Sequence, residues 1–406
     1  MKILYNFNEL SHILDISYIL DDDDMTEYIN SENLVIKFSK HNCKFVLPDN
    51  FKRKHLYNDC VALCALLLVY PFIGNRIVFE FSISDVFAKT LDKSGKKIMY
   101  LRDGISKAGN RTVSNGIHAI NFNTTIESIA LTELSGDNTL LTHFDIGHNL
   151  DYQYLLMDMT YSKGKQIVTV KNNSHEMFTE IYKQKSLKHN RVPFDLAEYI
   201  PIILLSELYN IKYLQFNFFI RDIEQLEMST TQLVYHRTAR WKFYNTNNNY
   251  KNINRFSYWR DLFTSVGLTT QCPLAGITRM GIYKIIKQNF LFKHLPICNE
   301  GFIDSKCKRC KNCLIHTWMN WYYNDKPLQF DMDKLKSCKI IYAYTLFFYK
   351  ETEHLRVLYE TLKKRYPELD RQMHTLQTVR KFATTGDGNL FQKLKTFGID
   401  KFSSLI

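Results

Sequence analysis

Four of the chain's 9 cysteines lie close together, Cys298, Cys307, Cys310 and Cys313, in the order C-x8-C-x2-C-x2-C. Thiolate sulfurs bind Zn²⁺ tetrahedrally, and a C-x2-C turn places two sulfurs on one metal with little strain. Lys306, Lys308, Arg309 and Lys311 surround them. A four-thiolate zinc site carries excess negative charge; nearby cations offset it and lower the thiol pKa. The alternative is four unrelated thiols, for which the spacing is too ordered. Four thiolates leave no open coordination position, so this zinc is expected to be structural. His316, three residues beyond Cys313, offers a further ligand type that a filled site does not need.

Other reactive side chains are scattered more thinly. His143 and His148 flank Asp145. A histidine at the rim of a site can polarise a substrate or carry a proton, and His148, beyond a strand, is better placed for that than His143 inside it. Arg237–Tyr244 interleaves cations with aromatics, a mix that grips a nucleobase or single-stranded nucleic acid, or equally packs as an element with snorkelling cations. Asp21–Asp24 is four adjacent carboxylates without the spaced ligands of a calcium loop, and reads as a solvated loop. Cys60 and Cys64 share one helix face and read as core.

The elements that must position these groups follow from periodicity. Residues 33–38 and 43–47 read as strands joined by a hairpin turn at His41-Asn42. Residues 59–69 read as a buried helix and 76–81 as a strand. Residues 106–111 are small and polar, as in a linker. Beyond them strands alternate with helices: strand 117–122, helix 126–134, strand 139–144, helix 150–159, strand 166–170, helix 194–209 after Pro193, and strand 212–217. Such alternation predicts an α/β fold, a doubly wound parallel sheet with right-handed crossovers. Ligands on these sheets bind beyond the carboxyl ends of the strands, here 123–128, 145–148, 171–175 and 217–221. The tail from about residue 330 reads as helical. The expected domains are an N-terminal mixed α+β domain over 1–112, an α/β domain over 113–329 including the zinc region 298–313, and a helical C-terminal extension over 330–406.

The composition of the 406 residues, 45% hydrophobic and 14% aromatic, suffices for sizeable cores. The start of the chain lacks a basic segment followed by a long apolar one, and the most apolar run, 60–72, is too short to span a bilayer and contains Pro71. A cytoplasmic protein without a membrane partner is expected, in a reducing compartment consistent with an odd cysteine count. The net charge of +12 admits RNA or another anionic partner, although abundant Lys, Asn, Ile and Tyr also follow from an AT-rich coding sequence.

One further segment joins these features. Cys272–Ile286 precedes the cysteines and is similar to the P-L-x-x-x-T-K-x-E-I entry to the zinc region of the 7-cyano-7-deazaguanine synthases, the QueC family of the PP-loop ATP pyrophosphatases, whose cysteines have the same spacing. The family's phosphate loop, S-G-G-x-D-S, corresponds to Asn123-Thr124-Thr125-Ile126-Glu127-Ser128 directly after a strand. Its F-D-Y-G-Q corresponds to Phe144-Asp145-Ile146-Gly147-His148, and Arg191-Val192-Pro193-Phe194 resembles its V-P-x-R-N. The resemblance covers about residues 113 to 325 and implies an adenine nucleotide alpha hydrolase-like (HUP) fold.

It also implies an ATP-dependent ligase. ATP adenylates a carboxylate, possibly of a 7-deazaguanine-type substrate or partner, releasing pyrophosphate, and ammonia then gives the amide or nitrile. Asn123, Thr124, Thr125, Ser128 and His148 would bind ATP, Glu127 would meet Mg²⁺, and Asp145 would lie near the nucleotide or substrate; Glu127, Ser128 and Asp145 are the catalytic candidates. Such relatives often form homodimers. The family's two loop glycines are threonines here, and a β-branched residue resists φ > 0 and crowds a phosphate. The same residues read as a helix cap, with Thr124 or Thr125 as N-cap. Three functions follow: a small-carboxylate or modified-base ligase, a relative that modifies RNA or a protein partner, and a degenerate relative kept as a binding scaffold.

Overall fold

The computed structural model describes residues 1–29, 35–101, 115–123, 125–146, 164–180, 195–217 and 256–274, together with 157–158, 160–161, 277, 279–287, 289 and 364. The chain divides into two compact units, Met1–Leu295 and Pro296–Ile406. The elements that follow belong to the first. In chain order they are β1 (Lys2–Asn8), β2 (Ile13–Ile19), β3 (Glu27–Ile29), β4 (Val35–Phe38), β5 (Asn42–Val46), α1 (Asn58–Val69), β6 (Arg76–Phe79), α2 (Asp85–Asp92) and β7 (Lys97–Tyr100). Next come β8 (Ile117–Asn121), α3 (Ile126–Leu134), β9 (Thr139–Asp145), β10 (Ile167–Asn172), the single turn α4 (Ser174–Met177) and β11 (Phe178–Glu180). A 3-10 turn, Asp195–Tyr199, leads into α5 (Ile200–Leu205), followed by β12 (Ile211–Gln215), α6 (Phe256–Ser265), β13 (Thr269–Gln271) and α7 (Arg279–Ile286).

Ten strands form one mostly parallel sheet in the order β13-β12-β8-β9-β10-β5-β2-β1-β6-β7. From β13 to β10 all neighbours are parallel. The strands β1, β6 and β7 are parallel to one another, and the antiparallel β2 and β5 join the two blocks. The residues on either side of position 112 therefore contribute to the same sheet. β11, β4 and β3 make a separate small sheet. The expected hairpin over 33–47 is not formed: β4 pairs with β3 and β11, whereas β5 pairs with β2 and β10. The turn at His41 is instead held by Tyr18, whose N–H donates to the His41 carbonyl at 2.8 Å. Long-range pairing overrides the local turn signal.

Sequence explains the layers. α1, NDCVALCALLLV, is apolar around its whole circumference and is accordingly buried from Cys60 to Val69. It packs on β1, on α5 and on the turn before α5. α2 and α6 touch through the Lys93–Asp261 ion pair at 3.0 Å and the Tyr258 hydroxyl, which donates to the Leu91 carbonyl. Yet α2 lies beside β7 and α6 beside β13, at opposite edges of the sheet. Laid flat, ten strands would spread over about 43 Å, so the sheet curls until its two ends share one helical layer. On the parallel block, Ala119, Leu140, Phe144, Val168, Val170 and Leu214 face that layer. Ile120, Phe122 and Leu141 alternate to the other face, where α3 packs against α7. β9 is buried along its full length, as a central parallel strand covered on both faces should be.

The acidic run is only in part the solvated loop expected: Asp22 and Asp23 are exposed, whereas Asp21 and Asp24 are partly buried. The Met1 ammonium lies 3.0 Å from Asp21 Oδ2 and 2.9 Å from Asp24 Oδ2, and the Asp24 side chain is fully covered. Gly74 N–H donates to Asp24 Oδ1 and Asn75 N–H to Asp23 Oδ2, each at 2.7 Å. A Cβ at Gly74 would stand 2.3 Å from the Asp23 carbonyl oxygen, which is why glycine occupies that position. The run is tolerated because the Met1 ammonium and Arg76 meet Asp21, the ammonium and a backbone N–H meet Asp24, a backbone N–H meets Asp23, and Asp22 is left in solvent. Lys96, whose Nζ donates to the carbonyls of Ile73 at 2.7 Å and Gly74 at 2.5 Å, has its pKa lowered to about 8 by burial, against the pull of Asp24 and Asp23.

Candidate functional site

The residues singled out for phosphate binding stand where β8 runs into α3. Thr125 has extended backbone (φ −78°, ψ 162°) and is the N-cap of α3, its Oγ1 accepting from Ser128 N–H at 3.3 Å. The Ser128 hydroxyl donates to the Thr125 carbonyl at 3.0 Å and is fully buried. Asn123 closes the approach: its Oδ1 accepts from Thr125 N–H at 3.3 Å and from the Thr125 hydroxyl at 2.8 Å. Side chains of the loop therefore satisfy the N–H groups of Thr125 and Ser128. No positive φ is required at Thr125, so a β-branched residue sits there without strain. Glu127 occupies the first turn of α3, half-buried, and Thr124 lies outside the described residues.

Asp145 ends β9 and is buried; its carbonyl accepts from Asn172 Nδ2 on β10 at 2.8 Å. His143, two residues earlier on the same face of β9, is also buried and has Nδ1 2.9 Å from the Phe122 carbonyl, at the root of the phosphate loop.

Two residues from the turn before α5 reach the carboxyl ends of β8 and β12. The Glu198 carboxylate accepts from Asn123 Nδ2 at 2.8 Å, and the Asn121 amide lies between Glu198 and the Thr142 carbonyl. The Tyr199 hydroxyl donates to Asn217 Oδ1 and accepts from Asn217 N–H at 3.2 Å. A chain of contacts thus runs from Glu198 through Asn123 to Thr125 and Ser128. Sequence reasoning missed Glu198, Tyr199 and Asn121, whereas Asn217 begins the 217–221 segment expected to border a ligand. The available signal was that Asn121 falls at the end of an expected strand, where a buried amide needs a partner.

His148, Arg191–Phe194, Arg237–Tyr244 and the four cysteines Cys298, Cys307, Cys310 and Cys313 lie outside the described residues. Among the described residues no cluster of three or more His, Cys, Asp or Glu side chains is arranged to hold a metal ion. Nor is any described helix long and apolar enough to cross a membrane. Of the segment Cys272–Ile286, Leu274 is buried and residues 279–286 form α7; burial raises the Cys272 thiol to about 11. A cavity of about 480 Å³ lies apart from this site, lined by Tyr5, Arg53, Asn58 and Ser82 among others. Its polar groups are largely spent on one another: Arg53 donates to the Tyr5 hydroxyl at 2.9 Å, Tyr5 to Asn58, and Asn58 to Ser82.

Against known proteins, residues 258–387 match the model of a family of unknown function, DUF6395. That stretch takes in most of α6, all of β13 and α7, the four cysteines and much of the tail. No curated protein and no solved structure matches the chain.

Proposed function

We propose that the parallel block is a doubly wound nucleotide-binding domain, and that the protein is a QueC-like ATP-dependent ligase that adenylates a carboxylate. One observation carries the reading. In chain order β8, β9, β10, β12 and β13 stand as 3-2-1-4-5 across the sheet, all parallel. That order reverses between β8 and β12, and ligands of such sheets bind beyond the carboxyl ends at the reversal. The carboxyl end of β8 is where Asn123, Thr125, Glu127 and Ser128 stand, and Asp145 ends its neighbour β9. α3 packs on one face and α5 and α6 on the other, as double winding requires.

The chemistry follows from the positions. A carboxylate oxygen leaves only once AMP is attached, so the protein must hold pyrophosphate and position the acid. Ser128 and the amides at the start of α3 would take phosphate oxygens. The two N–H bonds now closing the loop are both 3.3 Å, beyond the usual range, and a fully charged phosphate oxygen can replace them. Magnesium is commonly held by one or two carboxylates plus substrate phosphates. Glu127 and Asp145 are hard oxygen donors of that kind and would hold it, and the ion would neutralise charge on the leaving pyrophosphate. The four cysteines would carry a structural zinc.

A second reading rests on the closed loop. Thr125, Asn123 and Glu198 satisfy one another without a ligand, and the Glu198 carboxylate repels an anion. Those features favour a scaffold that has kept the fold and lost turnover. ATP cleavage separates the two. Production of AMP and pyrophosphate with a carboxylate acceptor supports the ligase. ATP left intact with every carboxylate and deazapurine tried removes it.

A further inference from the structure

We infer that His143 is a ligand-binding residue of this site, whose Nε2 accepts a hydrogen bond from an N–H or O–H group of the bound molecule. A carbonyl oxygen only accepts, so the 2.9 Å contact with the Phe122 carbonyl requires the proton on Nδ1. In the neutral ring Nε2 is then a lone-pair acceptor. His143 is only 3% exposed, and its Nε2 is buried without a hydrogen-bond partner. Buried polar atoms are almost always partnered, so an orphaned acceptor in a native site calls for a specific donor. The packing says where that donor comes from. Leu140 and Phe144 face the central helical layer, so His143 and Asp145 share the opposite face of β9, beside α3. Asp145 ends the strand, and the Phe122 carbonyl belongs to the root of the phosphate loop. The acceptor therefore stands beneath the loop, next to a carboxylate.

Chemistry narrows the ligand. The oxygens of a magnesium-bound polyphosphate are almost fully deprotonated at neutral pH and are repelled by the lone pair. An ammonium or amine, or a hydroxyl or exocyclic amine of a nucleoside, suits it. Only the placing of the ligand rests on the nucleotide reading.

The test uses the full chain with ¹⁵N-labelled histidine, the His143 signal being assigned by its loss in His143→Asn. That variant keeps a donor towards Phe122 and removes the Nε2 acceptor, since the asparagine side chain is too short to place its own oxygen there. In the free wild-type protein Nε2 should be unprotonated. Its resonance should move on adding Mg-ATP or ammonium chloride and stay still with magnesium tripolyphosphate, which offers no N–H or O–H donor. A shift with ammonium alone identifies an amine; a shift with Mg-ATP alone identifies a nucleoside group. His143→Asn should weaken the donor that moves the signal about tenfold, the equivalent of one hydrogen bond. A protonated Nε2, a resonance unmoved by either donor, or one moved by tripolyphosphate alone overturns the assignment. Calorimetry with Mg-ATP keeps the two ideas apart. Absent ATP binding with an ammonium-dependent shift sinks the nucleotide reading and leaves His143 standing. ATP binding with a motionless Nε2 does the reverse.

Discussion

Replacing Thr125 by glycine should tighten Mg-ATP binding while leaving the fold nearly as stable. Thr125 caps α3 through a 3.3 Å bond to Ser128 N–H, and its backbone is extended. Glycine is tolerated at an N-cap, so the substitution should cost only a few tenths of a kcal/mol of stability. Its effect on the ligand is larger. In the wild type a phosphate oxygen must displace the Thr125 hydroxyl, a neutral hydrogen bond worth about 1 kcal/mol net. The charged bond that replaces it is worth about 2 kcal/mol. With glycine the amide is already free, so the displacement cost disappears and Kd should fall about fivefold, corresponding to about 1 kcal/mol. Isothermal calorimetry at fixed magnesium and ionic strength measures this, and thermal unfolding of the same samples reports the cap. Thr125→Ala is the control: it frees the same amide but should lose about 1 kcal/mol of stability. Unchanged affinity in both folded variants would refute the argument that the hydroxyl occupies a phosphate-binding amide. Weaker binding in both would mean that the threonine contacts the ligand itself.

Lys96 should make the protein more stable as pH rises from 8 to 10. The folded protein releases this proton near 8 and the unfolded chain only near 10.5, so between those values the unfolded chain holds more protons. The gain from this group over that interval is about 2 kcal/mol, read as the difference between denaturant titrations of wild type and Lys96→Met; parallel curves would contradict it. The cysteine spacing predicts one zinc per chain by elemental analysis and its loss in Cys310→Ser, and a full zinc complement in that variant would remove the four-thiolate assignment.

The parallel strands were legible because buried strands leave short apolar runs between turn signals. Residues 117–122, 139–144, 166–170 and 212–217 correspond to β8, β9, β10 and β12 within a residue or two. The helix expected over 126–134 is α3, and the cap expected at Thr124 or Thr125 falls on Thr125. What failed depended on distant partners. Nothing local separates β4 from β5 into different sheets, and nothing in Asp21–Asp24 announces that an ammonium and the N–H groups of residues 74 and 75 will engage Asp21, Asp23 and Asp24. The helix expected over 194–209 begins as a 3-10 turn and reaches α-helical form only at Ile200, with Pro201 in its first turn. That early turn brings Glu198 and Tyr199 to Asn123 and Asn217 at the strand ends, which periodicity alone could not reveal.

A ligase of the proposed kind must hold a nucleotide in this loop. Equilibrium binding of Mg-ATP to the zinc-loaded protein, with Ser128→Ala measured alongside, tests it most directly. Saturable binding by the wild type that weakens tenfold or more in Ser128→Ala, about the value of one charge-assisted hydrogen bond, is the predicted result. No binding at millimolar ATP, or equal binding by both proteins, would contradict it.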